Sequence, residues 1–101
     1  ILYRLVGSEM CIRDSLLGEV LQDSGKNDEA MEHFREALVI AEANDLRMQI
    51  GELLIRLGSV AQEKSRRMEY LQRALSVFRE LGAKSRMREV QNRVHNAVMG
   101  R

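Results

Sequence analysis

The stretch from Leu16 to Leu38 constrains the fold of this chain more than any other, because two apolar series flank a polar turn there. On each side of the turn, apolar residues recur every three or four positions, which is the spacing of a helix that buries one face. The turn itself, Ser24-Gly25-Lys26, contains glycine, a residue favoured just after a helix end. The stretch therefore predicts two helices joined by a tight connection.

The composition of the whole chain favours the same all-α class. Its 101 residues include no proline and only four aromatic residues, and leucine, alanine, glutamate and arginine are all good helix formers. A chain of this length holds one domain with a modest core. No apolar run approaches the roughly 20 residues that a membrane-spanning helix needs. The single cysteine excludes an internal disulfide framework, so we expect a cytoplasmic protein without membrane contact.

Apolar spacing and turn residues predict about five helices. The third should be the most buried, because its apolar arc is the widest. Gly51 and Gly58 each cost up to ~1 kcal/mol of helix propensity relative to alanine, but they lie seven residues apart on one side, where close contact with another helix can offset that cost. The fifth helix is expected to bury Val90, Val94 and Val98. The predicted helices cover about residues 16 to 23, 27 to 43, 46 to 62, 66 to 81 and 84 to 99.

Residues 1 to 15 differ from the rest of the chain and contain its only cysteine. The segment Arg4 to Ser15 resembles the translation of a transposase-type sequencing-library adaptor, whose end encodes Met-Cys-Ile-Arg-Asp. We therefore expect residues 1 to 15 to be non-native and the genuine sequence to be a fragment of a longer protein. Ile12 lies at helical spacing from Leu16, so a helix could still continue back through the segment. Cys11 is accordingly left out of the functional interpretation.

The helical hairpin pattern occurs more than once. A shift of 37 residues places Phe34 on Leu71, whereas Gly18 and Gly58 lie 40 residues apart. The connection between the third and fourth helices is therefore expected to be three residues shorter than the connection between the first two. A period in this range indicates stacked helical hairpins. The predicted units are residues 16 to 44, residues 45 to 82 and a terminal helix at 83 to 101.

The repeated residues resemble the tetratricopeptide repeat family, and the resemblance covers residues 16 to 101. It implies antiparallel hairpins stacked as a right-handed α-solenoid. The second unit departs from the family pattern, because Arg67 occupies a position for a small residue and the turn glycine is missing. The residues that carry the resemblance are Leu17, Gly18, Leu21, Gly25, Ala30, Phe34 and Ala37 in the first unit and Leu57, Gly58, Ala61, Leu71 and Ala74 in the second.

The same resemblance implies a protein–protein interaction scaffold, with the first helix of each hairpin lining a concave groove for a peptide or helix. Most of the corresponding positions are acidic or polar, which favours a basic ligand. Arginine-rich repeats of this kind resemble those of bacterial regulatory and signalling proteins. The alternative is a structural spacer or self-association segment, because the apolar side of the first helix would be uncovered. The groove positions correspond to Glu19, Gln22, Asp23, Glu52, Ile55, Ser59, Gln62 and Glu63.

No catalytic, cofactor or metal motif is evident, so we do not expect an enzyme. His33 and His95 have no partner at a motif spacing, and Glu29, Glu32 and Glu36 are simplest to interpret as a solvated helix face. Residues 16 to 44 carry two basic against seven acidic residues, a net charge of −5, whereas residues 83 to 101 carry +4 from five basic residues and one acidic residue. The basic end lacks aromatic residues that could stack on bases, so nucleic acid is not the expected partner. Its basic residues within the last helix are Lys84, Arg86, Arg88 and Arg93.

Overall fold

A computed structural model describes the backbone from Leu2 to Gly100 and the side chains from Glu9 to Gly100. Over these residues the protein is all-helical, which confirms the predicted class and the predicted number of five helices. Short connections of two or three residues join the helices, so consecutive helices run antiparallel. The helices are α1 (Leu2–Asp23), α2 (Asn27–Ala43), α3 (Arg47–Val60), α4 (Lys64–Leu81) and α5 (Lys84–Val98).

The helices form two layers, with α1, α3 and α5 in one layer and α2 and α4 in the other. Each helix packs against the next along the chain, and α1 also contacts α3. Ion pairs join alternate helices within each layer: Glu52 of α3 to Arg86 of α5 at 2.5 Å, and Glu42 of α2 to Arg73 of α4 at 3.8 Å. The molecule is only 18 Å deep along its shortest axis, which is the depth of two packed helices.

Glycines on α1 and α3 allow the large side chains of the following helix to lie close to the backbone. A Cβ atom on Gly18 would lie 2.5 Å from the ring of Phe34, and one on Gly51 would lie 2.5 Å from the ring of Phe78. At Gly58 the neighbour is the smaller Leu71, 3.2 Å away. Gly51 and Gly58 thus both face α4, as their seven-residue spacing predicted. The first hairpin pairs Gly18 with Phe34, and the second pairs Gly58 with Leu71.

Three of the four connections contain a residue in the left-handed conformation: Gly25 (φ 80°), Asp45 (φ 53°) and Gly82 (φ 68°). Such a residue after a helix end lets later backbone N–H groups bond to the last carbonyls. In the connection after α2, the Leu46 N–H donates to the Ala41 carbonyl at 2.9 Å. After α4, the Ala83 N–H donates to the Phe78 carbonyl, also at 2.9 Å, and both residues lie 37 positions further along the chain. Corresponding residues of the α2–α3 pair and the α4–α5 pair are therefore 37 positions apart in sequence.

The connection between α3 and α4 differs, because both flanking residues, Ala61 and Glu63, are extended. It contains three residues, as does the connection between α1 and α2, so the predicted shortening of this turn is wrong. The difference of three residues between the two units arises at the end of their first helix, because α3 is shorter there than α1. α1 continues for five residues after Gly18, whereas α3 ends two residues after Gly58.

Other helix bounds also differ from the sequence-based ones. α1 begins at Leu2 rather than near Leu16, so the helix runs through the segment predicted to be adaptor-derived. α3 ends at Val60 rather than Gln62, and α4 begins at Lys64 rather than Arg66. Local spacing could not place these ends, because the extended conformation of Ala61 stops α3 and no turn glycine marks the position.

The core lies between the two layers, and α3 contributes seven buried residues to it, the most of any helix among the side chains from Glu9 to Gly100. Most residues of the repeat pattern are buried there, including Phe34 and Leu57. Leu17 is an exception at 45 % exposure, because the described helices leave that side of α1 uncovered. The expectation for Val98 is wrong, since it is 58 % exposed and its neighbour Ala97 is buried in its place.

Candidate interaction surface

The predicted groove residues of α1 and α3 lie next to one another on the α1–α3–α5 layer. The Gln22 amide donates to the Ser59 hydroxyl at 3.0 Å, and that hydroxyl donates to the carbonyl of Arg56 at 2.6 Å. One turn earlier, the Glu19 carboxylate forms an ion pair with Arg56. Both cross-helix pairs join residues 37 positions apart. Glu19, Gln22 and Ser59 therefore belong to one continuous surface.

Arginines continue this surface onto α5 and alternate with the acidic residues. Arg86 pairs with Glu52 at 2.5 Å and with Glu89 at 2.9 Å, and Arg93 approaches Glu89 at 3.5 Å. We call this surface the polar face and define it by Glu19, Gln22, Glu52, Arg56, Ser59, Arg86, Glu89 and Arg93. Its carboxylates are largely paired, so the face as a whole is mixed in charge and not acidic as the sequence suggested.

The arginines of the polar face were missed as groove residues, although the sequence contains a signal for one of them. Arg56 lies 37 residues after Glu19, so opposite charges at the repeat distance indicate neighbouring helices. Arg86 follows Glu52 by 34 residues, which gives no such indication. Its side chain reaches α3 because long arginine side chains span several ångströms from their own backbone.

The remaining predicted groove residues have different environments. Ile55 is only 4 % exposed and belongs to the core, so its predicted contact with a ligand is wrong. Gln62 and Glu63 are exposed but lie in the connection after α3. Asp23 is exposed at the end of α1. Among residues with described side chains, neither Asp23 nor Glu63 has an ion-pair partner, so these two carboxylates remain available to a ligand.

A cavity of about 230 Å³ opens between α1 and α3 beside the paired charges of the polar face. Its apolar wall includes Ile12, Leu16 and Leu53, and Glu19 and Arg56 stand at its edge. An apolar wall with charged groups at the rim suits an aliphatic side chain of a bound peptide. Part of this wall comes from residues 1 to 15, the segment that is predicted to be non-native.

No protein-family model, curated protein or solved structure matches this chain. Among Leu2 to Gly100, no helix is both long enough and apolar enough to cross a membrane. The chemistry of the surface must therefore be inferred from its own residues.

A second cluster brings Asp14 of α1 close to His33 and Glu36 of α2. One ligand atom from each lies within 4.8 Å of the others, and the Asp14 carboxylate is 3.6 Å from His33 Nδ1. Three such groups can hold a divalent cation. The cluster depends on Asp14, a residue of the segment predicted to be non-native, so no function is proposed for it. Sequence spacing could not reveal it, because the three residues meet across two helices.

The thiol of Cys11 lies on the buried side of α1, next to this cluster. Burial raises the pKa of the Cys11 thiol above its ordinary value, and the Asp14 carboxylate raises it further. A raised pKa keeps the sulfur protonated and unreactive at neutral pH. The thiol packs within the hydrophobic core.

Proposed function

We propose that this chain is a tetratricopeptide-like helical-repeat scaffold that binds a peptide or helix of a protein partner along the polar face. The observation that supports the proposal best is the pair of links between Glu19 and Arg56 and between Gln22 and Ser59. They connect the first helices of successive hairpins, and those helices line the concave surface in repeat arrays of this kind. The two-layer packing of the helices is consistent with the same arrangement.

The chemistry of the polar face suggests how such a ligand would bind. Beyond the polar face, Asp23 at the end of α1 and Glu63 in the connection after α3 offer unpaired carboxylates to lysine or arginine side chains of the ligand. The cavity between α1 and α3 offers an apolar wall to a leucine-sized side chain. Glu19 and Glu52 are already neutralised by arginines of this chain, so they would contribute less to the attraction. A ligand with basic and aliphatic residues fits this distribution.

Fluorescence anisotropy with a labelled peptide rich in lysine and leucine tests the proposal, with the glutamate counterpart as a negative probe. Reversing both free carboxylates, Asp23→Lys with Glu63→Lys, should weaken binding about tenfold, because each exposed ion pair contributes up to about 1 kcal/mol. The matched control reverses Glu32 and Glu69, two exposed carboxylates on the α2–α4 layer. Reversal of Glu19 or Glu52 is a poorer test, because it also breaks an ion pair between helices.

The outcome separates a specific surface from general attraction. Equal loss of binding in the test and control variants would point to overall charge alone. Unchanged binding in the Asp23 and Glu63 variant would refute the proposed role of these two carboxylates in holding the peptide.

The exposed side of α1 favours a second candidate function, self-association without a ligand. On α3, Leu57 and Val60 lie away from the side that Gly58 presents to α4, and they are 0 % and 3 % exposed. The corresponding residues of α1, at the 40-residue offset, are Leu17 and Val20, which are 45 % and 62 % exposed. The described helices leave this apolar side of α1 without a neighbour. Apolar surface of this kind commonly mediates association.

Sedimentation velocity at increasing protein concentration tests this candidate. The wild-type chain should show a rising weight-average mass, and Val20→Asp should lower it toward the monomer. Val39→Asp is the matched control, because Val39 is similarly exposed, at 65 %, but lies on α2. A monodisperse wild-type monomer at high concentration would exclude self-association.

A further inference from the structure

A second cavity, of about 310 Å³, lies where α3, α4 and α5 meet. Guanidinium groups reach it from two helices, together with the amide of Asn96 at the end of α5. Its lining includes Gly58, Ser59, Arg67, Leu71, Arg93 and Asn96. The polar face adjoins it through Ser59 and Arg93, but the bottom of the cavity is formed by α4.

The cavity exists because the second hairpin is packed with smaller residues than the first. In the first hairpin, the ring of Phe34 fills the space at Gly18. In the second, Leu71 takes the place of Phe34 and leaves more room above Gly58. The fully buried Ala30 of the first hairpin corresponds to Arg67 at the 37-residue offset. An arginine therefore enters at the place where the first hairpin has a methyl group.

Arg67 has hydrogen-bond donors without acceptors. One guanidinium nitrogen donates to the carbonyl of Ala61 at 3.0 Å. The Nε atom is buried and has no partner, and no described carboxylate lies within 4.0 Å of the group. A buried donor on a charged group is costly when it stays unpaired. An anion in the adjoining cavity, which Arg67 lines, would balance the charge of this group.

Arg93 lacks the cross-helix carboxylate that its counterpart has. The corresponding residue in the preceding unit is Arg56, which is paired with Glu19 of α1. The residue that corresponds to Glu19 on α3 is Ser59, at the 40-residue offset, and a hydroxyl cannot neutralise a guanidinium. Arg93 retains only Glu89 of its own helix, at 3.5 Å, and Glu89 is also bonded to Arg86 at 2.9 Å.

The start of α4 adds positive potential at the same place. Arg67 lies in its first turn, which contains no acidic residue. Cations are disfavoured at a helix N-terminus, where the unpaired N–H groups carry partial positive charge. An anion bound nearby would relieve this repulsion.

We propose that this cavity binds a phosphate-type oxyanion, either free phosphate or the phosphoryl group of a modified side chain. Guanidinium groups match the oxygens of phosphate with pairs of parallel N–H bonds. Arg67 provides a guanidinium group without a carboxylate partner, and Arg93 provides a second one that lacks the cross-helix carboxylate of its counterpart Arg56. The amide of Asn96 offers a further donor. The Ser59 hydroxyl already donates to the carbonyl of Arg56. Since Ser59 has no charge at the position that corresponds to Glu19, the bound anion would provide the negative charge there.

Two titrations, one with inorganic phosphate and one with a short phosphoserine peptide beside its unphosphorylated twin, distinguish the sources of the oxyanion. The first readout is the arginine Nε–H region of the ¹H–¹⁵N spectrum, where the Arg67 signal should shift. Calorimetry then gives the affinities. A response to both phosphate probes assigns the site to free phosphate, and a response to the phosphopeptide alone assigns it to a modified side chain.

Three variants locate the site. Arg67→Ala restores the alanine of the first hairpin and should weaken binding about tenfold or more, given the strength of charged hydrogen bonds. Ser59→Glu restores the carboxylate that the first unit has and should have a similar effect by neutralising Arg93. Arg66→Ala is the matched control, because it removes the neighbouring charge outside this cavity, and it should change the affinity by less than about twofold.

Two results would overturn the proposal. The first is the absence of a response to any phosphate probe in the wild-type chain. The second is equal weakening by Arg66→Ala and Arg67→Ala, which would indicate diffuse attraction by the basic end of α4. Circular dichroism of each variant verifies that the helices are retained.

Discussion

The substitution Gly51→Ala tests the close packing of α3 on α4, because two large effects oppose each other there. Alanine favours the helix by about 1 kcal/mol relative to glycine. Its Cβ atom, however, would lie 2.5, 2.7 and 3.0 Å from three ring carbons of Phe78. Phe78 is fully buried, so its ring cannot move away without displacing other core residues.

The steric effect should exceed the gain in helix propensity. Overpacking a closed core costs about 1 to 3 kcal/mol, and a ring approached at three atoms lies toward the upper end of that range. We therefore expect the free energy of unfolding to fall by about 1 to 2 kcal/mol. For a domain of this size the corresponding fall in Tm is roughly 4 to 16 °C.

Gly58→Ala is the matched control on the same side of the same helix. Its Cβ atom would lie 3.2 Å from the side chain of Leu71, which borders a cavity and can shift. The gain in helix propensity should prevail, so stability should be unchanged or higher by up to about 1 kcal/mol. Urea denaturation followed by circular dichroism measures both variants.

A second-site change distinguishes steric conflict from other causes. Phe78→Leu should be less harmful in the Gly51→Ala background than alone, with a coupling energy of about 1 kcal/mol or more. If Gly51→Ala is as stable as the wild type, or if both glycine variants respond alike, the close approach of Phe78 to α3 is refuted.

Three further changes test other parts of the fold. Phe34→Ala removes the ring that packs against Gly18 and should lower the free energy of unfolding by about 3 to 5 kcal/mol in urea titrations. A loss below about 1 kcal/mol would contradict the packing described. Asp45→Gly should raise the free energy of unfolding by about 0.5 to 1 kcal/mol, because glycine adopts φ 53° without strain. The exposed Asp45–Arg47 ion pair that is lost, at 3.5 Å, contributes little. A lower Tm in this variant would contradict the prediction. The raised pKa of Cys11 means that the folded state favours the protonated thiol. The stabilising contribution of the thiol is therefore fully present below the ordinary pKa of 9.0 and is lost as pH rises above it. The stability advantage over Cys11→Ala should shrink from about pH 7 to about pH 10, and an advantage independent of pH would exclude this effect.

The helices were predictable because their signals are local in sequence. The apolar spacing around Phe34 and the turn glycines at Gly25 and Gly82 act within one or two turns of the chain. The small residues Gly51 and Gly58 also indicated where helices approach closely. The end of α3 was not predictable in this way, since Ala61 is a good helix former that the tertiary packing holds in an extended conformation.

The candidate site was predicted only in part. Glu19, Gln22 and Ser59 do lie together, because repeat spacing places equivalent positions of α1 and α3 side by side. Ile55 could not be assigned correctly from α3 alone, because its burial depends on neighbouring helices, and α3 packs against α2 and α4 and also contacts α1. The pairing of Glu52 with Arg86 depends on the reach and direction of a long side chain, which sequence spacing does not specify.

Composition and periodicity were thus sufficient for the all-α class, the number of helices and much of the core, because each helix carries those properties in its own residues. The mixed charge of the polar face and the cavity beside Arg67 were not accessible in this way. They arise from differences between corresponding positions, such as Glu19 and Ser59 or Phe34 and Leu71. Their consequences appear only when the folded helices bring residues 37 positions apart into contact.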